Sequence, residues 1–501
     1  MSKTNSFEVE NVINNNPELS DAVLKMLEVK AKVVDMKPKQ AKPKEENIKI
    51  DSNFTEFWNA ERFIQENKGN IKFCYTRDKW LIWDGIIWLE DSKNQIFQIA
   101  KETIKNLHSY ASKIQDDDKR SKLIKHALRS ENLKSVKNMV KISESEEGIP
   151  ISSNDFDSNN YYINCLNGMV DLRTGELLPH NKDEYITNLI PINYNPVADY
   201  VKWAEFLDSI MDGNRELINF IQRAIGYSLT GSIQEQCFFI LYGKGSNGKS
   251  TFVDAISKIL GSYSKNTPIE SLMTKDNKNG IPSDIARLQG ARFVTASEPE
   301  DGCRLSESLI KQLTGNKTIT ARFMFGEWFD FEPKFKIWMD ANHKPVIRGT
   351  DYAIWRRIKL IPFNVTISPE KKDKDLPKKL EKELEGILNW AVMGAMEYFK
   401  KGLAEPKEVQ AATDEYKTDM DFMEAFLSEC TIKSTFKTRV REVYQRYVEW
   451  CRDTGEYTQK EKVFNQKMEE REIKKIKSTG GIMFWENISL KVDDEDNPYT
   501  K

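Results

Sequence analysis

The chain has 501 residues, 30% of them charged, with a formal net charge of −2. That length gives a prior of two to four domains with ample material for a core, and the near-neutral balance excludes a global basic field, so any nucleic-acid contact has to come from local patches. The six cysteines carry no C-x-x-C pair, the four histidines are too spread for a metal site, and the N-terminus lacks a signal peptide. No apolar run approaches membrane-spanning length, so the expectation is a soluble intracellular protein with reduced thiols.

Residues 1–50 are polar and end in the Lys- and Pro-rich run Lys37 to Glu46, a poor core former that reads as a disordered tether. A short helix at Asp21 to Val29 is the alternative. From Phe54 the texture changes to a helix followed by strands with a turn at Asp84-Gly85. Trp80, Trp83 and Trp88 suit cross-strand packing; a stacking platform for bases is the lesser reading. Lys-rich helices over Ile96 to His108 and Asp118 to Met139 follow. Asn167-Gly168 and Thr174-Gly175 are hairpin signals, and Trp203 to Met211 and Leu217 to Tyr227 are amphipathic helices. Residues 51–228 therefore form an α+β region.

The next stretch organises the rest. Phe238 to Tyr242 is a buried strand that runs into Gly243-Lys244-Gly245-Ser246-Asn247-Gly248-Lys249-Ser250, and a helix opens behind it. Strand, G-x-x-x-x-G-K-S, helix is the setting of a phosphate-binding loop. Glycines let backbone N–H groups curl around a phosphate, and the helix N-terminus adds partial positive charge. Gly243, Gly245, Ser246, Asn247, Gly248, Lys249, Ser250 and Thr251 are the candidate contacts to ATP. Lys249 reaches the β/γ-phosphates and Ser250 holds Mg²⁺.

A second strand, Ala291 to Ala296, is followed by Glu298, Glu300 and Asp301, carboxylates suited to order Mg²⁺ or polarise water. Leu305 to Leu313 is a short helix. Thr318 to Phe323 and Trp328 to Phe331 make a hairpin around Phe325-Gly326-Glu327, with Lys311, Lys317 and Arg322 nearby. A third strand, Phe335 to Met339, leads to Asn342, placed to touch a γ-phosphate or hold water; His343 receives no role. Arg356 and Arg357 precede a further apolar strand, and each is either a salt-bridge partner or a group that neutralises transition-state charge.

Five pieces in order within Gly243 to Phe363 carry a likeness: GKGSNGKST, ARFVTASEPEDG, LIKQLTGNKTITARF, the strand ending ANHKP, and IWRRIKLIPF. Together they resemble the helicase domain of superfamily III, most of all the phage and plasmid primase-helicase family that includes the poxvirus primase-helicase. Upstream, NGMVDLRTGELLPH and the Trp203 to Tyr227 helices are similar to that family's pre-helicase domain. The resemblance implies a RecA/AAA+-like P-loop parallel sheet, a homo-hexameric ring, ATP bound between subunits, translocation on single-stranded DNA, and the cytoplasm of a bacterial host cell. It implies that Lys249 and Ser250 serve phosphate and Mg²⁺, and that Glu298 orders the metal. Glu300 activates water, with Asp301 as rival; Asn342 is the polar sensor. Arg357 is the arginine finger toward a neighbour's ATP, with Arg356 second. Phe325-Gly326-Glu327 corresponds to the DNA-gripping loop, although its tip lacks the expected basic residue. The 50 or so polar residues at the N-terminus are too few for the primer-synthesising domain of many relatives, so no primase activity is expected.

The ATPase domain is assigned to residues 229–402 and a linker to 403–416. From 417 to 501, three apolar-patterned helices and a hairpin around Gly480-Gly481 read as a winged helix. Its third helix opens at Thr458 with Glu461 completing a capping box. Lys460, Lys462, Gln466 and Lys467 are expected to face a major groove, and Lys474, Lys475 and Lys477 lie on the wing; solvated lysines on a partner-binding wing are the alternative. Two functions remain open. One is an ATP-driven replicative helicase that binds its origin. The other is an ATP-dependent DNA-binding regulator that assembles on DNA without unwinding.

Overall fold

The computed structural model describes residues 54–274, 283–297, 302–315, 318–322, 328–348, 352–370, 372–478 and 480–491. Helix α1, Glu56–Asn67, begins where the Thr55 side chain accepts from the Trp58 N–H. An antiparallel meander follows: β1 Ile71–Cys74, β2 Lys79–Trp83 and β3 Trp88–Glu90. Trp80 and Trp88 are buried, and the Trp88 indole donates to the Lys182 carbonyl at 2.8 Å. These two are core residues, which removes them from the stacking-platform alternative; Trp83 is half-buried. Helices α2 Gln95–Ser112, α3 Asp117–Ser130 and α4 Leu133–Ser143 complete this unit. The single helix expected over Asp118 to Met139 is two, because the Asn132 side chain accepts from the Ser135 N–H and starts a new helix. A second antiparallel meander, β4 Tyr162–Cys165, β5 Gly168–Asp171 and β6 Glu176–Leu178, turns at the two expected Gly dipeptides.

Helices α5 Val201–Ile210 and α6 Arg215–Leu229 lead to a five-stranded, all-parallel sheet. Its strands are β7 Phe238–Tyr242, β8 Ser264–Asn266, β9 Phe293–Ser297, β12 Lys336–Ala341 and β13 Ile358–Pro362, in the spatial order β13-β7-β12-β9-β8. The chain leaves β7 through α7, Lys249–Leu260, for the far edge and works back. Strand β7 is therefore flanked by β12 and β13, and its carboxyl end is the point where the strand order reverses, the usual place for a ligand in such sheets. Both faces are covered, so β12 is buried along its length. On one face Trp203 stacks on Phe252 and Trp338 on Phe239, the second pair at 4.2 Å between centroids. The other face takes α8 Ser283–Ala286, α9 Glu307–Gly315, α10 Tyr352–Trp355 and the antiparallel hairpin β10 Ile319–Arg322 with β11 Trp328–Phe331.

Helices α11 Leu376–Glu381 and α12 Leu384–Lys401 return to the first face. Here α12 lies against α6 at backbone contact: a Cβ on Gly226 would fall 2.0 Å from the Ala395 nitrogen, so only glycine permits the approach. The stretch expected to be a linker is instead part of the core. Helix α13, Lys407–Asp419, packs on edge strand β13, where the Leu360 N–H donates to the Thr413 hydroxyl at 3.1 Å and Tyr416 is fully buried against Trp355. It shields an otherwise open sheet edge.

The last module comprises α14 Phe422–Cys430, β14 Thr431–Arg439, α15 Val440–Thr454, α16 Glu461–Glu469, β15 Lys475–Lys477 and β16 Met483–Leu490. The three helices and the two final strands match the expectation. Strand β14 does not: it is an additional member of a β14-β16-β15 sheet. The module has its own core of Phe426, Tyr447, Phe464 and Trp485. The expected Thr458–Glu461 capping box is absent as well, because α16 begins after Lys460 with no side-chain cap. Among the described residues, no helix is long and apolar enough to cross a membrane.

Candidate functional site

The loop from Gly243 to Gly248 joins the carboxyl end of β7 to the first turn of α7. Gly245, Ser246 and Gly248 all have positive φ, at 93°, 49° and 85°. Gly248 is constrained twice over, since a Cβ there would also sit 2.6 Å from the Ile210 side chain. The following segment holds the loop from behind. The Asn247 amide donates to the Phe363 carbonyl at 3.3 Å, and the Ile367 N–H donates to the Ser246 carbonyl at 2.7 Å.

Lys249 is the first residue of α7 and is buried. Its ammonium donates to the Gly243 carbonyl at 2.6 Å, the Asn342 amide oxygen at 2.9 Å and the Asn247 amide oxygen at 3.3 Å, and lies 3.7 Å from the Asp340 carboxylate. The neighbouring Ser250 hydroxyl donates to the other Asp340 oxygen at 3.0 Å. The sequence-predicted pair Lys249 and Asn342, 93 positions apart, is thus in direct contact because β12 lies beside β7. Sequence reasoning missed Asp340. A signal was available: it stands two residues before Asn342 at the end of a strand, and period two puts both on one face.

Glu298, Glu300, Asp301, Lys317 and Phe325 lie outside the described residues. Strand β9 ends at Ser297, in register with Asp340 of β12, so the acidic segment follows directly from a strand that ends beside the site.

The two arginines divide differently from expectation. Arg357, the first choice as a finger toward a neighbouring subunit, is buried. Its guanidinium donates to the Thr314 hydroxyl at 3.1 Å, the Gln236 side-chain oxygen at 3.2 Å and the Ala353 carbonyl, all within its own chain. Its donors are engaged inside the chain, which makes it the weaker of the two candidates for a finger. Arg356, the second choice, is exposed and donates to the same Gln236 oxygen.

The hairpin β10–β11 forms as expected, rooted by buried Ile319, Ala321 and Phe331. Arg322 is exposed with its guanidinium over the Trp328 ring at 4.8 Å, and Lys311 is half-buried on α9. In the C-terminal module Lys460, Lys462, Lys474 and Lys477 are exposed, and Lys475 lies over the Trp485 ring at 5.5 Å. Lys467 departs from expectation. It is half-buried and turned toward the Arg348 carbonyl, 3.5 Å away; burial, then nearby Arg471, lower its pKa. It faces the parallel-sheet unit, not open solvent. Arg439 and Arg441, which pattern reading passed over, share with Lys475, Glu461 and Asn465 a surface hollow of about 340 Å³.

These observations define an α/β protein whose candidate site stands at the carboxyl ends of a parallel sheet. Residues 60–212 match the family described as D5 N terminal like, and residues 241–357 match one described as a family of unknown function (DUF5906). A protein of Acanthamoeba polyphaga mimivirus, named as a candidate helicase, is 28% identical over 324 residues, which is 59% of this chain and 33% of that protein. The fowlpox virus protein named Primase D5 is 24% identical over 332 residues, 62% of this chain and 38% of its own length. The apo C-terminal region of NrS-1 aligns over 86% of this chain and 98% of its own, with a TM-score of 0.49 and 13% identity. Over these stretches the chain is similar to D5-like primase-helicase proteins. It spans between a third and two-fifths of the length of these two viral relatives.

Proposed function

We propose that this chain is an ATP-driven DNA helicase acting in replication. The observation that carries the reading is the Lys249 ammonium, buried at the start of α7 under a loop of left-handed residues and held by Asn342 and Asp340 from the adjacent strand. A buried cation with several polar contacts at a helix N-terminus suits a phosphate chain. The backbone geometry fits: φ is positive at Gly245, Ser246 and Gly248, a left-handed conformation of the kind that anion-binding backbone turns use. Lys249, the loop amides and Thr251 would hold ATP, and Ser250 would hold Mg²⁺, which supplies neutralisation of developing phosphate charge. Asn342 orients Lys249 and would be the residue to sense the terminal phosphate. Glu298, with Glu300 or Asp301, follows β9 and remains the proposed source of the metal-ordering and water-activating carboxylates. Arg356, exposed beside the sheet unit, replaces Arg357 as the proposed finger toward a neighbouring protomer of a hexamer. The β10–β11 hairpin would touch single-stranded DNA. The C-terminal module, read as a winged helix, would contact duplex through Lys460, Lys462, Lys474, Lys475 and Lys477, with Arg439 and Arg441 added.

The test is Lys249→Ala. DNA-stimulated ATPase and unwinding of a forked duplex should both be lost while the protein stays folded. A Lys249→Ala protein that still separates strands refutes the reading. The second reading is a nucleotide-dependent DNA-binding regulator, which the loop and the C-terminal module would serve equally well. Wild-type protein that hydrolyses ATP and binds duplex but leaves the fork intact would establish that alternative.

A further inference from the structure

Asp340 carries a role that neither the motif set nor the family likeness assigns. It is the fifth residue of β12, 6% exposed, between β7 and β9 and in register with Leu241 and Ser297. A buried carboxylate is costly unless its oxygens are engaged. Here one oxygen accepts from the Ser250 hydroxyl at 3.0 Å and the other lies 3.7 Å from the Lys249 ammonium. One carboxylate therefore touches both side chains that the nucleotide reading assigns to phosphate and metal.

We propose that Asp340 is a positioning residue that orients the Ser250 hydroxyl for Mg²⁺ and balances the Lys249 charge when no nucleotide is bound; the inference rests on the ATP reading of this loop. A serine hydroxyl has one proton and two lone pairs. With its proton committed to Asp340, Ser250 keeps its lone pairs for a cation. A hydroxyl free to rotate would spend part of its time with the proton facing the cation. Ligands of this kind owe much of their strength to the group behind them, and losing that group typically weakens metal affinity about 10- to 100-fold. Asp340 also helps the buried Lys249 keep its charge, which has a carboxylate and three oxygen acceptors around it.

The role differs from that proposed for Glu298 and its neighbours. Those follow β9, one strand further from the loop; Asp340 stands on the strand that directly pairs with β7. It makes a prediction those acids do not. Asp340→Asn keeps the shape and an acceptor oxygen but removes the charge and weakens the hold on the Ser250 proton. The consequence should separate metal-dependent from metal-independent nucleotide binding.

The experiment is titration of the full chain with a fluorescent ATP analogue, with and without Mg²⁺, alongside thermal melting. Wild type should bind Mg·nucleotide. In Asp340→Asn, the Mg²⁺ concentration for half-saturation at fixed nucleotide should rise about 10-fold or more. Binding in chelator should be unchanged or tighter, because a negative charge near the triphosphate is gone. Asp340→Glu should recover part of the Mg²⁺ dependence, and it carries the test if the asparagine variant melts below the assay temperature. In a Ser250→Ala background, Asp340→Asn should add little further Mg²⁺ effect. Equal loss of binding with and without Mg²⁺, or an unshifted Mg²⁺ requirement in a folded variant, overturns the role of Asp340 and leaves the ATP reading standing. Wild-type protein that binds no nucleotide, indistinguishable from Lys249→Ala, overturns both.

Discussion

Arg356 and Arg357 are adjacent in sequence and opposite in environment. They follow a helical turn and precede a strand, so one side chain is directed inward to Thr314 and Gln236 while the other stays at the surface. Arg357→Ala would remove a buried guanidinium and leave its hydrogen-bonded acceptors unmatched, destabilising the fold by about 2–4 kcal/mol. Arg356→Ala should change stability by no more than about 0.5 kcal/mol, as surface substitutions do. If Arg356 reaches a neighbour's phosphate, the same change should lower ATPase by about 10³-fold with nucleotide affinity nearly kept. Urea melts and steady-state kinetics on the two variants give a double dissociation. The assignment fails if the exposed residue proves dispensable. The family likeness ranked Arg357 first, but the sequence names two adjacent cations and only the fold decides which one is enclosed. Asp340 teaches the same lesson. An acid at a strand end is ordinary in sequence, and only the pairing of β12 with β7 brings it to Lys249 and Ser250.

At the scale of elements, one tight constraint is the contact between α6 and α12. Gly226→Val would drive a branched side chain into the Ala395 backbone, and the helices would have to part. Overpacking of this kind costs about 1–3 kcal/mol, read as a fall in urea midpoint at constant slope. Lys334, just before β12, gives a pH signature. It donates to the carbonyls of Asp157 and Ser158 at 2.7 and 2.9 Å, and burial, with Arg292 nearby, depresses its pKa from 10.5 to about 8. Between those values the unfolded chain holds the proton and the folded chain does not. The folded state therefore gains stability as pH rises from about 8 toward 10.5, and below 8 the full penalty of charging applies. Compared with Lys334→Met, wild type should become relatively more stable between pH 7 and pH 10. Parallel stability curves would refute the depressed value. The elements around the loop were legible because β7, α7 and β12 combine a strong apolar pattern with a spacing that chemistry restricts. Strand β14 was not: Ile432 and Phe436 on it are exposed, so it lacks the buried alternation that marks a strand. Helix α13 was mistaken for a linker because only Val409, Thr413 and Tyr416 face inward from a charged segment. Three residues at helical spacing gain meaning only once the edge of β13 is there to receive them.

The whole molecule has three kinds of surface to connect: the loop at the carboxyl ends of the sheet, the hairpin β10–β11, and the lysine-bearing C-terminal module. The sheet unit and that module meet through Arg348, whose guanidinium lies over the Tyr457 ring at 4.5 Å and whose carbonyl faces Lys467. If Arg356 completes a neighbour's site, as proposed above, each site of the motor is shared between two protomers. In a closed ring each subunit offers its site to one neighbour and its arginine to the other, a head-to-tail arrangement. That geometry can be tested without imaging the ring. Lys249→Ala protein lacks a working site but keeps Arg356, and Arg356→Ala protein keeps the site but lacks the arginine. Each alone should be inactive as an ATPase. Mixed in equal amounts and allowed to reassemble, a site works when an Arg356→Ala protomer is followed by a Lys249→Ala one. Random assembly makes that true at about one interface in four, so roughly a quarter of wild-type ATPase should return if the sites act independently. Activity that returns on mixing and vanishes on dilution places the arginine across a subunit boundary. A mixture as silent as its components, with exchange between particles verified by labelled protomers, means that Arg356 does not act in trans and that the completing group lies elsewhere.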